Sequence, residues 1–119
     1  MCMIKVSDRD MDNLAAILDY CDRIMSIIER FGNTFEQFNL DEDYRDAVLM
    51  NVFQIGEATN RLSDNCKEIM NTVPWHEIYG TRNVIAHGYV RVNNKIIWEI
   101  VEKDVPLLKQ EIGAKAGLL

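Results

Sequence analysis

Residues 9–31 read RDMDNLAAILDYCDRIMSIIERF, and the spacing of their apolar side chains decides the fold. Steps of three and four residues connect Met11, Leu14, Leu18, Cys21, Met25 and Ile28, which places them on one face of an α-helix. Asp8 and Asp10 lie at its start, where carboxylates complement the helix dipole and can cap free N–H groups. Gly32 follows its last residue and suits a left-handed C-cap. The stretch therefore predicts one long amphipathic helix.

The same period predicts further helices along the rest of the chain. A second long helix is expected from Asp41 to about Ile69, after a short amphipathic link at residues 34–38. A third begins at Pro74-Trp75, where proline suits a first helical position, and it ends at Gly88. These boundaries give long helices joined by short connections.

The last predicted helix follows Asn93 or Asn94, either of which can cap it. Pro106 should kink this helix or mark a local irregularity, because proline lacks the N–H that a helix interior needs. Alternation typical of a strand extends at most over Val90–Val92. The predicted fold is therefore all-α: an antiparallel bundle of four main helices in one domain, residues 1–119.

The second helix offers more apolar surface than one core-facing stripe requires. Its apolar positions include Val48, Val52, Phe53, Ile55 and Leu62. Because large exposed apolar patches are rare on monomers, we expect the surplus to form the face of a two-fold homodimer.

Composition limits the function classes. The chain has 119 residues, is 48% hydrophobic and 27% charged, and carries a formal charge of −6, which argues against a protein that coats nucleic acid generally. No apolar run reaches the ~20 residues of a membrane span. Cys2, Cys21 and Cys66 form no CxxC pair, so we expect reduced thiols in a cytoplasmic protein, with no metal site and no cofactor.

The motif that bears on chemistry is Arg82-Asn83-Val84-Ile85-Ala86-His87-Gly88-Tyr89, an R-N-x-x-x-H-x-Y string. The guanidinium of Arg82 can grip a phosphoryl group, and the imidazole of His87 can move a proton near neutral pH. At 100° per residue the two side chains lie ~140° apart around one helix axis, so they do not aim at one point. Asn83 shares a face with His87 and is the best residue to orient it or to touch substrate.

Two residues of the second helix bear on this motif. Gly56 costs ~1 kcal/mol relative to Ala inside a helix, which indicates either the close approach of another backbone or a tolerated glycine. Glu57 is expected to pair with Arg82, so Arg82 has a structural interpretation, a salt bridge, beside the catalytic one.

Several ordered segments together resemble the HEPN superfamily, in particular the HepT-type branch of HEPN/MNT toxin–antitoxin systems. The resemblance covers nearly the whole chain, and its segments are residues 34–38, 55–58, 73–78, 82–89, 97–100 and 105–107. It implies a helical dimer in which the R-x4-H motifs of both subunits face one cleft. It also implies a metal-independent endoribonuclease toxin, type VII-like, with Arg82 and His87 as catalytic residues.

The resemblance further implies a partner, a small MNT-type nucleotidyltransferase antitoxin that silences the toxin by transferring AMP to Tyr89. RNA cleavage of this kind uses the ribose 2′-OH as its nucleophile, so the protein must only move protons and stabilise charge on phosphorus. Two other functions stay open. The chain could be a binding module that presents nucleotide or substrate to a separate nucleotidyltransferase, or a purely structural helical dimer.

Overall fold

The computed structural model describes residues 6–88 and 92–117, and the regular secondary structure within those ranges is helical. The helices are α1 (Asp8–Phe31), α2 (Phe35–Leu40), α3 (Glu42–Arg61), α4 (Asp64–Ile69), α5 (Trp75–Gly88), α6 (Asn94–Glu99) and α7 (Val105–Ala116). A π-helical stretch, Ile100–Asp104, joins α6 to α7 without a break. Four long helical units, namely α1, α3, α5 and the rod formed by residues 94–116, make an all-α bundle, which confirms the predicted fold class.

Contacts at opposite ends of α1 and α3 show that the two helices run antiparallel. At one end, the Tyr44 hydroxyl at the start of α3 donates to the carbonyl of Gly32, just after α1, at 2.8 Å. At the other end, the carboxylate of Asp10 accepts from the backbone N–H of Ser63 at 2.8 Å and from its hydroxyl at 2.6 Å. On this pair, α5 packs against α3, and α7 packs against α1.

Three of the four predicted main helices have the expected boundaries. The first spans Asp8–Phe31, and its N-cap is Ser7, whose hydroxyl accepts from the Asp10 N–H at 3.1 Å. Gly32, with φ of 112°, ends it in a backbone conformation that favours glycine. The third helix spans Trp75–Gly88, and Asn93 caps the last helix as predicted.

The second predicted helix was wrong in extending to Ile69, because the helix breaks at Leu62-Ser63. Ser63 caps a separate short helix, α4, with its hydroxyl accepting from the N–H of Cys66 at 3.1 Å. The Asp10 carboxylate takes the Ser63 backbone N–H, which an uninterrupted helix would use internally. A tertiary contact from the first helix therefore ends the second.

The irregularity expected at Pro106 is the π-helical stretch just before it. The Val105 N–H bonds to the carbonyl of Ile100, five residues back, which widens the helix by one residue. Proline offers no N–H to the helix and its ring crowds the carbonyl four residues earlier, and a widened turn relieves that crowding. The rod continues through Pro106 without ending.

The core contains an aromatic cluster that holds α2 against the bundle. Phe38 of α2 lies between Tyr44 and Trp98, with ring centroids 5.3 Å from each, and Phe31 stacks on Tyr44 at 5.1 Å. The rings of Phe38, Tyr44 and Trp98 are buried. Trp75, at the start of α5, is buried as well, so both tryptophans of the chain belong to the core.

The residues expected to form a surplus apolar face do not do so. Val48, Val52, Ile55 and Leu62 are all buried in the chain's own core, and Phe53 alone of that set is half-buried. Large apolar side chains that are exposed within the described residues are Met25, Leu40, Met50, Val84 and Ile96. The helical period identifies residues that can be buried, but not whether they meet their own chain or a second copy.

Two cysteines, Cys21 and Cys66, are buried free thiols, and Cys2 lies outside the described residues. Burial raises the pKa of Cys21 to about 12 and that of Cys66 to about 11. Both thiols therefore stay protonated and weakly nucleophilic at neutral pH. Separately, none of the helices in the described ranges is both long and apolar enough to cross a membrane.

Candidate active site

Helix α5 carries the motif residues Arg82, Asn83 and His87 over its last two turns. Tyr89, the expected modification site, lies outside the described residues. Arg82 is half-buried against α3, whereas His87 is exposed in the last turn. The helix therefore presents the two expected catalytic side chains in different directions, as the ~140° separation predicts.

Arg82 is held by hydrogen bonds from both sides of the interface between α3 and α5. Its Nε donates to the Glu57 carboxylate at 2.5 Å, which confirms the predicted pairing of these residues. Its Nη1 donates to the Asn83 side-chain oxygen at 2.9 Å. The side chains of Arg82 and Glu57 are only 22% and 27% exposed, so the ion pair is less screened by water than a surface pair.

Gly56 lets α5 approach α3 at Arg82. A Cβ on Gly56 would lie 2.3 Å from the Cβ of Arg82 and 2.8 Å from its Cγ, far inside van der Waals contact. Of the two interpretations of this glycine, close approach of another segment is therefore the one that holds. Gly56, one residue before Glu57, thus determines how closely Arg82 packs against α3.

Two aromatic rings also contact the guanidinium of Arg82. Its central carbon lies 5.2 Å from the ring centroid of Phe53 in α3 and 5.8 Å from that of Tyr79 in α5. Both distances are within the range of a cation–π interaction. Sequence reasoning missed these two residues. Helical spacing gave a signal for both, because Phe53 lies three and four residues before Gly56 and Glu57, and Tyr79 lies three before Arg82.

Asn83 connects the Arg82 contacts to the face of α5 that carries His87. The residues Tyr79, Asn83 and His87 are spaced by four and therefore line one side of the helix over ~12 Å. Asn83 is half-buried and His87 exposed. The arrangement can bind an anion at Arg82 and supply an accessible imidazole along the same helix.

A groove of about 730 Å³ lies between α5 and the rod of residues 94–116, and Gly80, Thr81 and Val84 line it on the α5 side. Its wall includes the exposed Val84 and Ile96. Burial, together with the nearby carboxylates of Glu77 and Glu99, raises the pKa of Asp104 at the groove's edge. Neither Arg82 nor His87 lines this groove.

Among the described residues, no group of three or more His, Cys, Asp or Glu side chains is arranged to hold a metal ion.

Comparison with known proteins identifies the class of protein to which this helical bundle with an R-x4-H motif belongs. The family model of the HepT-like ribonucleases matches residues 17–114, and the chain belongs to this family. The match includes α3 and α5 entirely, and with them Glu57, Arg82 and His87.

Individual relatives carry names consistent with that family. A candidate RNase of Caldanaerobacter subterraneus subsp. tengcongensis is 34% identical, over 83% of this chain and 87% of the relative. A candidate RNase of Methanocaldococcus jannaschii is 32% identical, over 75% and 89%. The probable ribonuclease HepT of Thermococcus cleftensis is 31% identical, over 76% and 87%. No solved structure matches the chain.

Proposed function

We propose that this chain is a metal-independent endoribonuclease, the toxin of a type VII-like HEPN/MNT toxin–antitoxin pair. The observation that carries the proposal is Arg82, a half-buried arginine fixed by Glu57 and Asn83 on the same helix as the exposed His87. Membership of the HepT-like ribonuclease family and the ribonuclease names of the relatives support it.

Arg82 is the residue that binds the scissile phosphate in this proposal. Its hydrogen bonds within the described residues use two of the five N–H donors of a guanidinium, one to Glu57 and one to Asn83. The remaining donors lie on the terminal nitrogens and suit two phosphate oxygens at once. Because the side chain is already held, binding phosphate costs little further ordering, and the charge that develops on phosphorus meets a fixed cation.

His87 moves the protons. The 2′-OH of the ribose attacks the adjacent phosphorus while a base accepts its proton, and the P–O5′ bond breaks as the leaving oxygen gains a proton. The products are a 2′,3′-cyclic phosphate and a 5′-OH. Since the substrate supplies its own nucleophile, the reaction asks the protein only for a proton carrier and a phosphate-binding cation. An exposed imidazole is free to exchange its proton with water between turnovers.

A homodimer would bring the two functions together. Along one α5 helix, Arg82 and His87 are ~7.5 Å apart in rise and ~140° apart in direction, so a two-fold pairing of α5 helices can combine Arg82 of one copy with His87 of the other. The exposed Met50 of α3 and Ile96 of α6 are candidates for burial in such a dimer.

Mixing inactive variants tests the shared site. In a composite site, an Arg82→Ala chain and a His87→Ala chain form heterodimers that keep one intact site, so the mixture should regain roughly a quarter of wild-type cleavage after random exchange of subunits. A mixture no more active than either variant alone would refute a shared site.

Silencing is proposed to act at Tyr89 through transfer of AMP by an MNT-type nucleotidyltransferase. A bulky anion attached close in sequence to His87 would compete with RNA phosphate for Arg82, by charge and by volume. We expect Tyr89→Phe to keep ribonuclease activity and to escape the partner enzyme. Neutralisation of Tyr89→Phe as complete as that of the wild type would exclude Tyr89 as the acceptor.

The decisive experiment is induced expression of wild type, Arg82→Ala and His87→Ala, with growth and RNA integrity recorded. His76→Ala is the matched control, because His76 is an exposed histidine in the first turn of the same helix. We expect wild type and His76→Ala to degrade RNA and arrest growth, and the other two variants to do neither. Equal growth and intact RNA in all four strains would defeat the toxin hypothesis. Binding of nucleotide by such an inactive protein would favour the binding-module alternative.

A further inference from the structure

The two aromatic rings around Arg82 have no part in the proposal above, although they contact the residue on which it depends. Phe53 approaches the guanidinium from α3, and Tyr79 approaches it from α5. Glu57 fixes the Nε edge, and Gly56 fixes the base of the side chain. Together these four residues form what we call the guanidinium cradle.

Each component of the cradle restricts a different motion of Arg82. The contact with Gly56 fixes the Cβ and Cγ of Arg82 at the start of its side chain, and the hydrogen bond to Glu57 fixes the position of its Nε. The hydrogen bonds to Glu57 and Asn83 hold the Nε–Nη1 edge of the guanidinium, but hydrogen bonds tolerate some bending, so the plane of the group can still tilt about that edge. A ring at 5.2 Å and another at 5.8 Å favour one orientation of that plane, since a planar cation gains most when it lies over a ring face.

We propose that Phe53 and Tyr79 are positioning residues, which orient the Arg82 guanidinium so that its terminal nitrogens face the phosphate. This inference rests on the proposed function for its activity readout, but the binding readout below does not. The rings need not touch RNA for this role. They act through Arg82, and they make the cradle selective for a planar cation over a compact ammonium.

Substitution of the two aromatic residues gives the first test, with one matched control. We expect Phe53→Leu and Tyr79→Leu to lower kcat for RNA cleavage by about 5- to 30-fold, with little change in KM, because a free-swinging guanidinium still attracts phosphate but seldom meets it correctly. The control is Tyr20→Leu, since Tyr20 is also half-buried and also has an arginine, Arg23, over its ring at 5.6 Å. Tyr20→Leu should cleave like wild type.

Chemical rescue separates positioning from a general loss of folding. Arg82→Ala keeps the Cβ that packs on Gly56 and empties the rest of the cradle. Methylguanidinium at low millimolar concentration should then bind there, raise the Tm of this variant, and restore cleavage at least tenfold. Methylammonium, which carries the same charge without the plane, should do neither.

The double variant Phe53→Leu/Arg82→Ala decides the inference. We expect it to lose most of the methylguanidinium effect on both Tm and cleavage. Equal rescue in the presence and absence of Phe53, or equal rescue by methylammonium, would overturn the positioning role. If wild type cleaves no RNA, the proposed function fails by itself, while the methylguanidinium shift in Tm still tests the cradle.

Discussion

Gly56→Ala should force α3 and α5 apart at Arg82. The added methyl would lie 2.3 Å from the Arg82 Cβ, whereas carbon atoms at rest lie about 3.5–4.0 Å apart, so the helices must separate by roughly 1 Å. Overpacking of this kind costs about 1–3 kcal/mol, and the better helix propensity of alanine offsets up to about 1 kcal/mol of it. We expect a net loss of about 1–2 kcal/mol, seen as a Tm lower by roughly 3–8 °C.

The same displacement should cost more in the activation free energy of cleavage than in the free energy of unfolding. A shift of ~1 Å in a phosphate-binding group can cost on the order of 100-fold in rate. The assay is steady-state cleavage of a labelled RNA, paired with thermal unfolding of the same preparation. Gly80→Ala is the control, because Gly80 lies within α5 and a Cβ there meets nothing within 4 Å.

The control variant, Gly80→Ala, should change the stability in the opposite direction. We expect Gly80→Ala to raise Tm by a few degrees through helix propensity, with unchanged cleavage. The close approach of Arg82 to Gly56 would be refuted if Gly56→Ala matched Gly80→Ala in both stability and rate.

Three further outcomes are expected from the contacts around the site and the core. Burial raises the pKa of the Asp10 carboxyl, but the hydrogen bonds from Ser63 and Ser7 and the charge of Arg9 together outweigh it, so the pKa in the folded protein is lowered. Asp10→Asn should therefore lower the free energy of unfolding by about 2 kcal/mol at pH 7, and urea unfolding at pH 7 and pH 3 should show this difference shrinking as pH falls through that pKa. Glu57→Gln should change stability by under ~1 kcal/mol yet slow cleavage about tenfold, measured by unfolding and RNA assay; an unchanged rate would argue against its role. Iodoacetamide at pH 8 should leave Cys21 and Cys66 unmodified in the folded protein and alkylate both after unfolding, as read by mass spectrometry.

The helices were predictable because the period that specifies each one is local. The capping of the last helix by Asn93 and the start of α5 at Trp75 depend on neighbours within four residues. The break at Ser63 was not predictable in this way, because the group that takes its N–H, Asp10, lies 53 residues earlier. A serine by itself does not end a helix whose apolar period continues to Ile69.

The contacts of the candidate site can be divided in the same way, into those predictable from the sequence and those that depend on packing between helices. The pairing of Glu57 with Arg82 was predictable because the two side chains carry opposite charges and Glu57 follows Gly56, a glycine that permits close approach of another segment. Helical spacing places Phe53 near Gly56 and Tyr79 near Arg82, but the contact of the Arg82 guanidinium with both rings was not predictable, because it depends on how α3 and α5 pack. The ~140° between Arg82 and His87 around α5 was predictable from helix geometry alone, because both residues lie on one continuous helix.

The contacts at both ends of α1 and α3 limit where the chain can accept an inserted residue. Asp10 binds Ser63 at one end, and Tyr44 binds Gly32 at the other, so the number of residues in each helix must match the distance between the two contacts. One residue inserted inside α1 or α3 turns everything beyond it by 100° and moves it 1.5 Å, which breaks one contact or the other. An insertion inside α1 or α3 should therefore be disruptive even where the inserted residue itself is exposed to solvent.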